Sequence, residues 1–202
     1  MTGHLDQAHL SPIALMCESD DNVSERLIAM SFHYSALQKC LHWLHAALLL
    51  CLIPLGLAMT RMGEGALTNQ FYEGHKSLGI LAFVVAVVRL AVRAIQGAPP
   101  YERALHPLVR VLAKAGHWAL YGLVLMIPLV GYAATSICCK PVMFFGLMVV
   151  PLEFTGSESL MKLLFVWHET AAIGLALLVC GHIGMALYHR FKARDGVFER
   201  MT

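Results

Sequence analysis

The sequence predicts an all-α integral membrane protein built as a four-helix bundle, and three observations lead to that prediction. Of the 202 residues, 58% are hydrophobic and only 14% are charged, whereas soluble domains usually carry about 25% charged residues. Four apolar segments cover most of the chain, and each approaches the roughly 20 residues with which a helix crosses a hydrocarbon core. None alternates apolar and polar residues as a barrel strand does, so helices remain as the way to satisfy the backbone in lipid. The segments are Leu37–Met59, Leu78–Ile95, Leu108–Ala134 and Leu160–Tyr188.

The beginning of the chain has a different composition. The stretch "ESDDNVSER" is acidic and polar, and this region lacks the basic start and small-residue cleavage site of a signal peptide. We expect 1–32 to be a disordered or untranslated extension, because translation can start at either Met1 or Met30. The membrane domain is expected to cover 33–195, with a cytoplasmic tail at 196–202.

The basic residues predict how the helices are oriented. Of the 15 Lys and Arg residues, eleven fall near the start of the first segment, the junction of the second and third, or the end of the fourth. Because short cytoplasmic loops are enriched in Lys and Arg, both chain termini are expected to be cytoplasmic. The net charge is only +2, so the basic residues are explained as topology signals, and nucleic-acid binding is not indicated.

The cysteines do not predict a metal site, because none of them forms a CxxC pair. Adjacent Cys138 and Cys139 are expected on the outer side of the membrane, where oxidation is possible. Neighbouring cysteines rarely bond each other, so we assign this pair no role.

Histidines recur within the apolar segments, where a polar group is costly and usually faces the interior of the bundle. Each is therefore a candidate functional residue. They are His42 and His45 in "LHWLH", His75 in "HKSLG", His117 in "GHWALY", and His168, His182 and His189 in the fourth segment.

The spacing in the fourth segment predicts two separate sites. Fourteen residues separate His168 from His182, which leaves a difference of about 40° around a helix and a distance of about 21 Å along it. The two histidines therefore share a face but cannot bind one metal ion. They are expected to serve two centres stacked across the bilayer.

The antiparallel order of the helices supplies a partner at each depth. His42 is expected near the inner surface with His182, and His75 near the outer surface with His168. Two facing histidines suit a haem iron bound from both sides, in a site built from facing helices. Zinc sites normally have four ligands, and no carboxylate or thiol recurs with these pairs.

Glycines close to these histidines indicate room for a flat macrocycle between the helices. Packing of the helices against each other is the alternative reason for glycine in a membrane segment. The glycines are Gly79, Gly174 and Gly181.

Several motifs, taken in their order, resemble the bacterial cytochrome b-561 family of four-helix di-haem membrane cytochromes b. They are "LHWLHA", "HKSLGILAFVVAVVRL", "GHWALYGLVLMIPLVGY", "KPVMFFGLMVVP" and "WHETAAIGLALLVCGHIGMALYHR". The resemblance covers about His33 to Arg194. It implies two haems b per chain in a bacterial inner membrane, with iron ligands at the positions of His42, His75, His168 and His182.

Three other residues are candidates at the inner haem. His45 replaces His42 as the ligand if the first helix is rotated. Arg89 lies fourteen residues after His75, and it either pairs with a haem propionate or extends to the inner surface. His117 either bonds a propionate or anchors its helix at the interface.

Bis-histidine iron has no open site for oxygen, so the predicted function is to pass single electrons. The resemblance implies membrane quinone, here ubiquinone, as one redox partner, and superoxide on the outer side as a candidate donor. His189 is the candidate quinone residue, with interfacial anchoring as its alternative role. Two other functions stay open: a cytochrome b subunit serving a dehydrogenase, a hydrogenase or a soluble haem protein, and a histidine-lined cation transporter without haem.

Overall fold

The computed structural model describes residues 33–99, 107–139 and 141–202, and within these ranges the chain forms four long helices. All four are long and apolar enough to cross a membrane, as the sequence predicted. The predicted N-terminal extension at 1–32 lies outside the described residues. The helices are α1 (Ala36–Met59), α2 (Ala66–Gln96), α3 (Pro107–Cys138) and α4 (Glu158–Tyr188).

Helix α2 begins well before the apolar segment from which it was predicted. It starts at Ala66 rather than near Leu78, because its first turns are polar and add little to an apolar run. One of these polar residues, Thr68, is buried and donates its hydroxyl proton to the Gly63 carbonyl at 2.6 Å. His75 therefore lies in the third turn of α2, within the bundle, and not at the helix start.

The helices pack in chain order, α1 on α2, α2 on α3 and α3 on α4. Within the described ranges, the backbone of α4 packs extensively on α3 but not on α1 or α2. The space between α4 and the first two helices is therefore bridged mainly by side chains. One buried apolar cluster joins α1 to α2, and a second joins α2, α3 and α4. The clusters are Leu48, Leu52, Ala82 and Val85, and Ala86, Val124, Ile127 and Leu175.

A short hairpin between α3 and α4 departs from the all-α prediction. Strand β1 (Met143–Phe144) pairs antiparallel with β2 (Met148–Val149). The turn between them needs positive φ at Phe145 (49°) and Gly146 (68°), which glycine adopts without strain but a bulky residue seldom adopts. The strained Phe145 is held by its backbone N–H, which donates to the buried Ser77 hydroxyl of α2 at 2.8 Å.

The structure joins Cys138 and Cys139 in a disulfide, although neighbouring cysteines rarely bond each other. Cys138 is the last residue of α3, and Cys139 lies beyond it. The second cysteine is therefore outside the regular helix, where adjacent side chains can turn toward each other.

The last residues lie against the bundle, although the sequence indicated a plain tail. Trp43 donates its indole N–H to the Met201 carbonyl at 2.9 Å, and the Tyr34 backbone N–H donates to the Arg200 carbonyl at 3.2 Å. Arg200 itself is buried and donates to the Pro99 carbonyl. The chain end thus ties the start of α1 to the segment that follows α2.

We predict that Ser77→Ala lowers the free energy of unfolding by about 1 kcal/mol, because the Phe145 N–H then loses its acceptor. The measurement is the thermal unfolding midpoint of the purified protein in detergent. Ser159→Ala, at an exposed position of α4, is the matched control and should leave the midpoint unchanged. Equal midpoints for both variants would contradict the role given to Ser77.

Candidate functional site

Four of the predicted histidines meet as two pairs at two levels of the bundle. The ring centroids of His42 and His182 are 6.3 Å apart, and those of His75 and His168 are 6.2 Å apart. Two imidazoles that bind one metal from opposite sides, each at about 2.0–2.1 Å, have their centroids about 6 Å apart. The spacing of both pairs therefore suits one metal between the rings.

Each level takes one residue from each helix, and the two residues of a helix are fourteen positions apart. Fourteen residues are close to four turns, so the two positions on each helix lie on the same face. The first level lies toward the end of the bundle where α1 begins and α4 ends, and the second level lies toward the opposite end. The first level comprises His42, Arg89, His117 and His182, and the second comprises Gly56, His75, Gly131 and His168.

Glycine is required where the imidazoles of the second level lie against neighbouring helices. A Cβ at Gly131 would lie 2.6 Å from Nδ1 of His168, a distance that real Cβ atoms essentially never show. A Cβ at Gly56 would lie 3.1 Å from Cε1 of His75. A side chain at Gly131 would therefore overlap His168, whereas one at Gly56 would crowd His75 and require it to shift by a few tenths of an ångström.

Sequence reasoning missed Gly56 and Gly131, although a signal for them was present. The fourteen-residue interval recognised between His168 and His182 also leads from His42 to Gly56, and from His117 to Gly131. The sequence prediction uses the fourteen-residue interval only for residues with polar side chains, so it does not reach these glycines.

The glycines that were named have a different environment. A Cβ added at Gly79, Gly174 or Gly181 would meet nothing within 4 Å. Gly79 and Gly174 are half-buried, and the space that their side chains would take is open. This is compatible with the flat group predicted to lie between the helices.

Two histidines have their ring protons fixed by backbone carbonyls. Nδ1 of His168 lies 2.9 Å from the Ile127 carbonyl oxygen, and Nδ1 of His117 lies 2.6 Å from that of Ala113. A carbonyl only accepts, so Nδ1 carries the proton in each ring and Nε2 keeps its lone pair. This is the arrangement in which histidine binds metals, with its second nitrogen bonded to a carbonyl.

Arg89 points into the bundle toward the histidines. It donates from Nη2 to Nδ1 of His42 at 2.8 Å, and its guanidinium lies 5.8 Å from the Tyr121 ring centroid. In a neutral imidazole, Nδ1 as acceptor leaves the proton on Nε2. His42 can thus bind a metal through Nε2 only when Arg89 turns to another acceptor, and a carboxylate is its best partner.

His45 does not take part in either pair. The ring that faces His182 is that of His42, which favours His42 over His45 as the residue across from α4. His45 is 1% exposed, and neither of its ring nitrogens has a hydrogen-bond partner.

His117 has its ring centroid 5.6 Å from that of His182, which places it beside the first pair. The ring lies at an exposed position of α3. Its contact with His182 brings it to the first level, and its role there, propionate bonding or anchoring of the helix, stays a prediction.

His189 lies apart from both levels, at the end of α4, where the helix continues as a π-helical turn (His189–Ala193). Such turns are frequent at functional sites. Nδ1 of His189 contacts Oδ2 of Asp195 at 2.7 Å, and Oδ1 of Asp195 accepts from the Val197 backbone N–H at 3.3 Å. Burial raises the pKa of Asp195, but these hydrogen bonds outweigh it and hold that pKa below its usual value.

Asp195 was also missed by sequence reasoning. It follows His189 by six residues in "HRFKARDG", a spacing that no regular helix brings together. The contact forms because the chain leaves the helix at Arg194, which has a positive φ of 49°. The sequence does show a carboxylate shortly after the histidine at the end of the helix. It does not show the turn that brings the two side chains together.

The donor set fits a haem better than a bare ion. Within the described ranges, no group of three or more His, Cys, Asp or Glu side chains could hold a metal ion. A macrocycle supplies the remaining ligands to iron, so two facing imidazoles suffice. Membrane helix bundles with such histidine pairs form a class of proteins that bind haem b between their helices.

Comparison with known proteins identifies the family. The profile of the prokaryotic cytochrome b561 family matches residues 33–202, and the chain belongs to this family. It is therefore a haem b-binding electron-transfer cytochrome, and it crosses the bacterial inner membrane several times.

Individual relatives are similar over most of their length. The chain is 31% identical to cytochrome b561 homolog 2 of Escherichia coli (strain K12), over 83% of this chain and 90% of that protein. It is 28% identical to the probable superoxide oxidase CybB of Yersinia pestis, over 83% of this chain and 94% of that protein. It is 27% identical to cytochrome b562 of Cereibacter sphaeroides, with the same two coverages of 83% and 94%.

We predict that Gly131→Ala reduces both the thermal stability and the haem content per chain. A Gly→Ala change in a helix normally stabilises it by about 1 kcal/mol, but here the added methyl overlaps His168 and should cost about 1–3 kcal/mol. Haem content is measured from the pyridine haemochrome spectrum. The matched control is Gly122→Ala on the same helix, where a Cβ meets nothing within 4 Å. Equal haem content in the two variants would rule out the steric requirement at Gly131.

Proposed function

We propose that the protein carries single electrons across the inner membrane through two haems b, from a donor on the outer side to ubiquinone. The observation that carries the proposal is the pair of facing imidazoles at each of two levels, with ring centroids 6.3 and 6.2 Å apart. The fourteen residues between levels correspond to about 21 Å along the helices. Each level therefore holds its own iron.

The ligands in this proposal are His42 and His182 at the first level, and His75 and His168 at the second. When bound, haem would supply reversible one-electron redox chemistry, and the two histidines that would hold its iron would leave no site for oxygen. The chain's own residues hold and orient it. The Ile127 carbonyl fixes the ring of His168 through its Nδ1–H, which keeps Nε2 directed to the iron.

Arg89 is proposed to bind a carboxylate of the first-level haem. Its acceptor in the structure is Nδ1 of His42, and Arg89 would turn to another acceptor where His42 holds a haem. A buried cation needs a compensating anion, and the described residues of the first level provide none. A propionate of the haem meets that need.

The first level is proposed to lie on the cytoplasmic side with both chain termini. The basic residues at this end of the bundle support the orientation through the positive-inside rule. They include Lys39, Arg93, Lys114 and Arg190. The second level then lies toward the outer side, beneath the hairpin.

The His189–Asp195 pair is the proposed ubiquinone site. Reduction of a quinone takes two electrons and two protons, and the protons have to come from groups at its carbonyl oxygens. Asp195 accepts the Nδ1–H of His189, which leaves Nε2 as the atom that bonds a carbonyl or passes a proton. The pair lies at the membrane end of α4, where a lipid-soluble quinone meets cytoplasmic water.

Superoxide is the proposed outer-side donor. The support is the similarity to a relative named probable superoxide oxidase CybB, together with the one-electron character of bis-histidine haem. The balanced reaction oxidises two superoxide anions to oxygen and reduces one ubiquinone with two protons to ubiquinol.

The charges at the second-level end support a second candidate donor. Lys76 pairs with Glu73, and Lys162 pairs with Glu158, so these two cations are locally neutralised and give little attraction to a small anion. This arrangement favours a redox protein or a partner dehydrogenase or hydrogenase that docks on the outer face. The cation-transporter alternative has no support from the family, whose members bind haem.

We predict that His42→Ala and His182→Ala lose the same haem, whereas His75→Ala and His168→Ala lose the other one. The reason is that each haem would be held by both imidazoles of its pair. Wild-type protein should bind two haems per chain, and redox titration should resolve which one each variant lacks. A wild-type stoichiometry of one haem per chain would overturn the ligand scheme. Loss of the first-level haem in His45→Ala but not in His42→Ala would overturn it as well.

We predict that superoxide reduces the purified cytochrome rapidly, and that a soluble ubiquinone analogue then reoxidises it. Stopped-flow absorption in the haem α-band follows both steps. Asp195→Asn should slow reoxidation at least tenfold without changing reduction, because it removes the charge that orients His189. Glu199→Gln, which breaks the nearby exposed Arg190–Glu199 pair, is the matched control.

The two steps test different parts of the proposal. If superoxide reduces the haem no faster than it dismutates, the donor is wrong and the partner-protein candidate takes its place. If Asp195→Asn and Glu199→Gln are reoxidised at the wild-type rate, the quinone does not bind at His189.

A further inference from the structure

His45 is a buried polar residue that neither iron pair uses. Its side chain is 1% exposed, and both Nδ1 and Nε2 are buried without a hydrogen-bond partner. A neutral imidazole has one donor and one acceptor nitrogen. Leaving such a group unsatisfied costs about 1–3 kcal/mol, so His45 is expected to serve a bound group.

The position of His45 puts it next to the first level. It follows His42 by three residues on α1, which is about 4.5 Å along the helix and about 60° around it. The Arg89 guanidinium donates to Nδ1 of His42 at 2.8 Å, three residues before His45. One turn further along α1, the buried Leu48 begins the apolar cluster, so His45 marks the boundary between the polar level and that cluster.

The chemistry around His45 selects an anion as its partner. Arg89 has only donors, so it cannot satisfy the donor nitrogen of His45. Arg89 contacts His42, which is one helical turn from His45, so a carboxylate at this level could accept from the guanidinium with one oxygen and from the imidazole with the other. A bare metal ion is a poor candidate, since no cluster of three or more ligating side chains occurs in the described ranges.

We propose that His45 donates a hydrogen bond to the same haem carboxylate that Arg89 binds, and that it is a haem-positioning residue and not an iron ligand. The proposal rests on the proposed function, in which a haem is held by His42 and His182. The imidazole facing His182 belongs to His42, at a centroid distance of 6.3 Å, so these two residues would hold the iron without His45. His45 would then bind a carboxylate at the edge of the haem and not the iron at its centre.

The test compares His45→Leu with His45→Gln in the haem-loaded protein. His45→Leu removes the hydrogen bond, and the first-level haem should bind about tenfold more weakly. Its midpoint potential should fall, because a carboxylate that has lost a donor is more negative and favours the oxidised iron. The electron paramagnetic resonance signature of bis-histidine iron should persist at both haems. His45→Gln keeps an N–H donor and should restore most of the affinity.

The second-level haem is the internal control for folding, since its content should stay at one per chain in both variants. Loss of the bis-histidine signature in His45→Leu, as expected for His42→Ala, would make His45 an iron ligand and overturn the proposal. Wild-type affinity and potential in His45→Leu would overturn it as well. A wild-type chain that binds only the second-level haem would defeat the proposed function itself, and with it the role of His45.

Discussion

The cost of placing imidazoles inside a membrane governs the arrangement of this bundle. An apolar environment offers a ring nitrogen no water, so each buried histidine has to find a partner in the protein or in a bound group. Four histidines do so by facing each other across a space that the helix backbones leave between α4 and the first two helices. Glycines let two of these rings, those of His75 and His168, approach neighbouring helices, and the Ile127 carbonyl also fixes the ring proton of His168.

The same constraint explains why one interval recurs in every helix. Two levels of a bundle can be served by straight helices only if the residues at those levels share a face, and fourteen residues satisfy this with little rotation. The repeat is thus a property of helix geometry and not of histidine alone. It accounts for Arg89 and His117 at the first level, and for Gly56 and Gly131 at the second.

Much of this arrangement could be predicted from the sequence, because the relevant signals are periodic. Apolar length indicated four helices, and the interval in α4 led to the pairing of His42 with His182 and of His75 with His168. Features without a period were missed. The polar start of α2 adds nothing to hydropathy, the hairpin depends on two positive φ angles, and Asp195 reaches His189 only where the helix gives way to a turn.

The difference in charge between the two levels has a consequence for the direction of electron flow. An electron is a negative charge, and in a medium of low dielectric constant a nearby cation lowers its energy more than it would in water. The first level contains Arg89, whereas none of the four residues of the second level carries a formal charge. In the proposed function, Arg89 would offset the negative charge of the carboxylate that it binds, whereas no second-level residue would do so. Transfer of an electron from the second level to the first would therefore be favoured over transfer in the opposite direction.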